Sequence, residues 1–187
     1  GLGSKSGLAI GDSFSVVSYH NGLESAYTIY KDEDGEPQCA KLFEKNSDEP
    51  SGLKVTIAVR SRFEDFENAA VRVFKFFKNK PKINNPEVVK EIQDWEDSLV
   101  LKGKNFGLTG NYGNFYVVMG SIAYAAPFNI TSYEGYLEVP LGSFDFDPGR
   151  ENIQLRDSTK DFILSEWRKT EIVICNKLIE EIESEPT

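Results

Sequence analysis

The sequence predicts an α+β protein in which two β-rich stretches are each followed by a helix. Residues 13–59 hold four short runs of β-branched and aromatic residues separated by turn signals. Apolar residues then recur at a spacing of three to four from Phe63 to Phe77, which marks a helix. The order repeats: two more β runs lead to a long amphipathic stretch near the C-terminus.

The elements follow in order. "SFSVVSYH", "SAYTIYKD" and "PQCAKLFE" read as strands, and Asn21-Gly22 and "DEDGE" between them are hairpin signals. "LKVTIAVR" alternates, with Leu53, Val55, Ile57 and Val59 on one face and Lys54, Thr56, Ala58 and Arg60 on the other. That pattern is a half-buried strand, and the four strands make an antiparallel meander. A helix over Ser61–Lys78 backs it. Ser61 and Glu64 have capping-box spacing, and Phe63, Phe66, Ala70, Val73, Phe74 and Phe77 form one stripe. Phe66, Val73 and Phe77 are expected to be buried against Val55 and Ile57, and Pro81 ends the helix.

"PKINN" reads as a short strand or turn, "PEVVKEIQDWED" as a short helix, and "LKGKNFGLTGNYGN" as a glycine-rich loop. A domain boundary is placed near residue 86, giving domains 1–86 and 87–187. "FYVVMGSIAYAA" and "YEGYLEVPLGS" are β runs of the second, a smaller α/β sandwich. The last helix runs from about Ser158 to Glu183, capped through Ser158 and Asp161. Its buried stripe is Ile163, Trp167, Ile174, Leu178 and Ile182. At ~1.5 Å per residue it spans roughly 36–40 Å and backs the second sheet.

Composition excludes several functions. Of 187 residues, 40% are hydrophobic and 27% charged, with thirteen Phe and eight Tyr to fill a core. No apolar run approaches the ~18 residues of a membrane span, and no signal-peptide pattern is present. Cys39 and Cys175 lie far apart and read as free thiols in a reducing compartment. With His20 the single histidine and no Cys cluster, the composition argues against a zinc site. The sequon letters Asn129-Ile130-Thr131 read as a loop. The formal net charge of −9 argues against nucleic acid as a partner, since that binding neutralises phosphates with Lys and Arg.

Taken alone, the opening GLGSKS reads as a linker or tag remnant, and it lacks the spacing of a P-loop. The longer stretch GLGSKSGLAIGDSFSVVSYHNG resembles phage rIIA-like lysis-protector proteins, members of the GHKL ATPase superfamily with gyrase B, Hsp90 and MutL. Gly1, Gly3, Ser4, Lys5, Ser6, Asp12, Phe14, Ser18, Tyr19, His20 and Gly22 fall in register, with Gly7-Leu8 where Pro-Phe is usual. In that superfamily this is the second Gly box, at the end of the ATP lid. The resemblance implies that Gly1, Gly3, Ser4, Lys5 and Ser6 bind ATP. Glycines let backbone N–H groups turn toward phosphate oxygens, and Lys5 adds a point charge.

The resemblance extends along most of the chain. "SGLKVTIAV" looks like the last strand of a GHKL domain, but Leu53 follows Gly52 where gyrase-like relatives have Thr. "VVMGSIAYAAPF" and "LGSFDFDPGRENIQL" look like rIIA-like runs, with Gly149 where Ser is usual. The second run also resembles a segment of the Hsp90 middle domain, which has the ribosomal-S5 domain-2-like fold. There the Arg reaches the γ-phosphate with a Gln close by, and Arg150 and Gln154 match those positions. An Arg in this role stabilises charge on the transferring phosphoryl group. By its residues alone, Arg150 reads as a surface group paired with Glu151 or Asp147.

The resemblance thus implies the C-terminal portion of a GHKL ATPase domain (1–86) followed by an S5 domain-2-like transducer (87–187). The implied function is an ATP-binding conformational switch using ATP and Mg²⁺. The GHKL helix with the catalytic Glu and the Mg²⁺-holding Asn, and the Asp-x-Gly-x-Gly adenine box, precede the lid. The chain therefore reads as a fragment, expected to be inactive alone. The alternative is a non-catalytic phage interaction module that binds a host or phage protein, which Leu53 favours. Acidity argues against a DNA-manipulating relative of MutL or gyrase B. A homodimer and association with a membrane are left open, in the cytoplasm of an infected bacterial host.

Overall fold

The structure is a computed structural model that describes residues 2–147 and 152–184. It is a mixed α+β chain that divides into two compact units, Gly1–Asp65 and Phe66–Thr187. The boundary expected near residue 86 falls inside the second unit.

The first unit opens with a 3-10 helix, Leu2–Ala9, and continues through β1 (Ser13–His20), β2 (Leu23–Lys31), β3 (Pro37–Asn46) and β4 (Gly52–Thr56). Asn21 (φ 52°) and Gly22 (φ 73°) close the β1–β2 hairpin, with His20 opposite Leu23. That two-residue turn needs positive φ at both positions, which Asn and Gly adopt at least cost. Between β2 and β3, Asp32 closes the loop: its carboxylate accepts from the Gln38 side chain (2.7 Å) and the N–H groups of Glu36 (2.8 Å) and Asp34 (3.1 Å). The Gln38 bond, then the Glu36 amide, holds its carboxyl below the usual carboxylate range.

The sheet order is β3-β2-β1-β4, all antiparallel. The fourth strand therefore returns to pair with β1, so the expected four-strand meander is three strands long. β4 also stops at Thr56, and Leu53 (67% exposed) and Val55 lie open, against the expected half-burial. The opening helix lies against β1 and β2, where Leu8, Phe14 and Ala26 are buried, and leaves the β4 edge uncovered.

The unit boundary falls in the first turn of α1 (Phe63–Phe74). Arg62 precedes it at φ 61°, accepts the Asp65 N–H at its carbonyl and pairs with the Asp65 carboxylate. Arg62 thus takes the capping place expected of Ser61. The helix ends at Phe74 rather than Lys78 and buries none of its residues; Phe66 and Val73 are exposed. The apolar spacing continues past the last helical turn, and the residue that becomes buried is Phe76, outside the helix.

α2 (Pro86–Asp97) starts as its sequence dictates. The Asn85 side chain accepts from the N–H groups of Glu87 (3.0 Å) and Val88 (3.3 Å), and Pro86 takes the first turn, where its missing N–H costs nothing. Then come β5 (Leu99–Lys102), β6 (Phe106–Tyr112), β7 (Phe115–Met119), β8 (Ile122–Ala125), β9 (Tyr133–Val139) and α3 (Asp157–Ser184). β5 and β6 occupy the stretch expected to be a glycine-rich loop. Gly107 there serves close approach: a Cβ on it would lie 2.6 Å from the Tyr136 ring of β9, and one on Gly135 of β9 would lie 2.3 Å from the Gly107 carbonyl oxygen.

The second sheet has the order β5-β6-β9-β7-β8, with β9 antiparallel to β6 and parallel to β7. Successive strand residues point to opposite faces. Phe115, Val117, Leu137 and Val139 cluster with Ile163 and Trp167 of α3. Tyr116 and Tyr136 belong to the other face and form an aromatic group with Phe76 and Trp95 of α2. α3 buries Thr159, Ile163, Trp167 and Thr170, and Ile174 packs beside them, whereas Leu178 and Ile182 (73% exposed) do not join the stripe. Its 28 residues span roughly 42 Å, while the seven residues of β9 span about 23 Å, so the helix outruns the sheet.

Candidate functional site

The glycine-rich opening is a helix rather than an open loop. Gly3, Ser4, Lys5 and Ser6 all lie in the 3-10 helix of the first unit; Gly1 lies outside the described residues. Lys5 and Ser6 are exposed, and Lys5 makes no ion pair among the described residues. The helix is anchored from its far end. Gly7 lies against the Phe14 ring, which a Cβ would meet at 2.6 Å, and Leu8 is buried. Gly7-Leu8, the departure from Pro-Phe, is thus a packing position. The Gly7 carbonyl accepts from the N–H groups of Ile10 and Gly11, both at 3.3 Å, which closes the helix before β1.

A helix start leaves its first N–H groups without intrahelical partners. Together with the exposed Lys5 ammonium, that donor set suits phosphate oxygens. It does not suit Mg²⁺. Among the described residues no group of three or more His, Cys, Asp or Glu could hold a metal ion.

Arg150 lies outside the described residues. The chain on either side of it is tied together: Phe146 bridges Ile153, and the N–H groups of Asp147 and Gln154 donate to the carbonyls of Asn152 (3.0 Å) and Asp145 (2.9 Å). Arg156 pairs with Asp145 at 3.1 Å. Gln154 is exposed and belongs to the second unit. Lys5 and Ser6 thus share one helix, and Gln154 stands with the connection between β9 and α3.

No family model matches the sequence, and no curated protein matches it. Among solved structures the chain is similar to the topoisomerase IV ATP-binding domain of Francisella tularensis, solved with a small-molecule inhibitor. The TM-score is 0.45 at 10% sequence identity, over 90% of this chain and 65% of that one. The likeness is distant, and the chain spans about two thirds of that domain's length.

One cluster has no counterpart among the sequence-derived sites. Lys75 follows α1 with a side chain only 11% exposed. Its ammonium lies 4.8, 5.1 and 5.4 Å from the ring centroids of Trp95, Phe76 and Tyr116. Burial pushes its pKa below the ordinary lysine value, and Glu134, 3.9 Å away, opposes this in part. The Tyr136 hydroxyl is pushed the other way, by burial first and then by Glu138 and Glu96. The indole N–H of Trp95 is buried with no acceptor. The sequence signal for this cluster is the spacing of lysines through KFFKNKPK and LKGK, which shows charge but not the aromatic wall.

Proposed function

We propose that the chain is part of an ATP-operated conformational switch of the GHKL type, close in sequence pattern to the rIIA-like proteins. In this reading Gly1, Gly3, Ser4, Lys5 and Ser6 hold the phosphates of ATP, and Arg150 with Gln154 senses the γ-phosphate. ATP enters with Mg²⁺, whose ligands are not among the residues assigned here. The observation that carries the reading is Lys5 on an anchored helix. Gly7 and Leu8 fix one end of that helix against the first sheet, and the ammonium stays exposed for a ligand. The bridge between Phe146 and Ile153 adds support, because it ties together the described residues that flank Arg150 in the sequence.

The test compares ATP and ADP affinity in the intact protein, for the wild type and Arg150→Ala. The wild type should prefer ATP. The variant should bind ADP as before and lose the preference, because the contact exists only with a γ-phosphate. Loss of charge assistance of this kind also lowers any turnover by on the order of 10²-fold or more. Equal affinities in the wild type, or an unchanged ratio in the variant, overturn the assignment.

A second reading, a non-catalytic module that binds a phage or host protein, draws on the exposed apolar edge of the first sheet. Leu53 and Val55 lie open there, and Leu53 stands where nucleotide-binding relatives carry Thr. An unchanged ATP-to-ADP ratio favours this reading.

A further inference from the structure

On the α2 face of the second sheet, a cleft of about 150 Å³ collects five lysines of a chain whose net charge is −9. Lys75, Lys78 and Lys80 come from the segment after α1, Lys102 from the end of β5, and Lys104 from the turn into β6. Two of them are matched within the cleft: Lys78 pairs with Glu138 at 2.7 Å, and Lys80 pairs with Glu96. Lys75 has only the distant Glu134 carboxylate, at 3.9 Å. Lys102 and Lys104 are exposed, and neither makes an ion pair among the described residues. Five ammonium groups against three carboxylates leave two positive charges uncompensated.

Lys75 adds a second constraint: a lysine held among three aromatic rings away from water bears a desolvation cost, and that cost falls when negative charge enters beside it. The sheet adds Tyr136 of β9 and Val118 of β7 to the wall.

We propose that this cleft binds a small, multiply charged phosphate-class anion, with Lys102 and Lys104 at its mouth and Lys75 beneath. The volume sets the size. It lies below the ~300 Å³ at which cofactor-sized sites begin, so it suits a phosphate or diphosphate group without a nucleoside. Neither Lys5 nor Gln154 is among its lining residues, and the proposal does not depend on the nucleotide reading.

The test titrates the protein with inorganic pyrophosphate by calorimetry and by tryptophan emission, since Trp95 lines the cleft. Parallel titrations use inorganic phosphate, and sodium chloride at matched ionic strength. Pyrophosphate should bind saturably and more tightly than phosphate, and chloride should not reproduce the signal. The Lys102→Ala/Lys104→Ala double variant should weaken pyrophosphate at least about tenfold. Both side chains are exposed, so its urea midpoint should stay at the wild-type value. The proposal is overturned if no saturable binding occurs up to millimolar pyrophosphate. It is equally overturned if chloride gives the same response, or if the double variant binds as the wild type does.

Discussion

Ile163 and Ile182 lie on one helix and should respond very differently to truncation. Ile163 is fully buried among Phe115, Val117 and Trp167, whereas Ile182 is 73% exposed. Ile163→Ala removes three buried carbons, worth about 2.4 kcal/mol at ~0.8 kcal/mol each. The void left in a packed site adds about 1 kcal/mol, for a total of about 3–4 kcal/mol. Ile182→Ala removes the same atoms from water-exposed surface and should stay within about 0.5 kcal/mol. Urea unfolding followed by tryptophan emission reads the second unit alone, because Trp95 and Trp167 are the only tryptophans. With a slope of roughly 1.5 kcal/mol/M, Ile163→Ala should lower the midpoint by about 2 M. If that variant fails to fold, Ile163→Val should still show a loss of about 1 kcal/mol. A cost at Ile182 equal to that at Ile163 would refute the docking of α3 by its N-terminal half.

Asn85→Ala should destabilise the second unit by about 1 kcal/mol, because two amides at the start of α2 lose their acceptor; Asn85→Ser should recover most of it, read by the same urea midpoint. Asp32 should titrate below the ordinary carboxylate range in a pH series of NMR spectra. A depressed folded-state pKa contributes stability above the unfolded value, and that stability is lost as pH falls through the depressed one. The β2–β3 turn should therefore lose this contribution as pH falls through the lowered Asp32 pKa, and Gln38→Ala, which removes the largest cause, should move the Asp32 midpoint upward.

Features fixed by local chemistry were legible before the structure. Asn21-Gly22 marked its turn because few other pairs tolerate two positive φ angles. The long last helix, expected from about Ser158 to Glu183 and found from Asp157 to Ser184, was legible because nothing in that run breaks a helix. What depended on neighbours was not. Gly103, Gly107, Gly110 and Gly113 made β5 and β6 look like loop, although Gly107 lies where β6 and β9 approach, beside Gly135. The stripe through Phe66 and Val73 was real as a spacing, but no layer covers it. In the candidate site, Lys5 and Ser6 could be picked out as phosphate-seeking types, while their place on a helix pinned by Gly7 against Phe14 required the fold. The lysine cleft was illegible because its lysines come from two separated segments that meet only over the second sheet, and its aromatic wall comes from others.

The insertion of β9 between β6 and β7 imposes an order of events on the growing chain. β1 and β2 are joined by a two-residue turn and can pair as soon as both have left the ribosome. β6 and β7 are neighbours in sequence but never pair; each waits for β9, which arrives after the β7–β8 hairpin is complete. Loop closure must come before those contacts reward it, so the second sheet closes late and slowly. Until then β6 and β7 present open edges, and Phe106, Leu108 and Val117 have nothing to cover them. A nascent chain stalled before Tyr133 would thus carry a finished first sheet and a sticky, unfinished second one, the species a chaperone would meet.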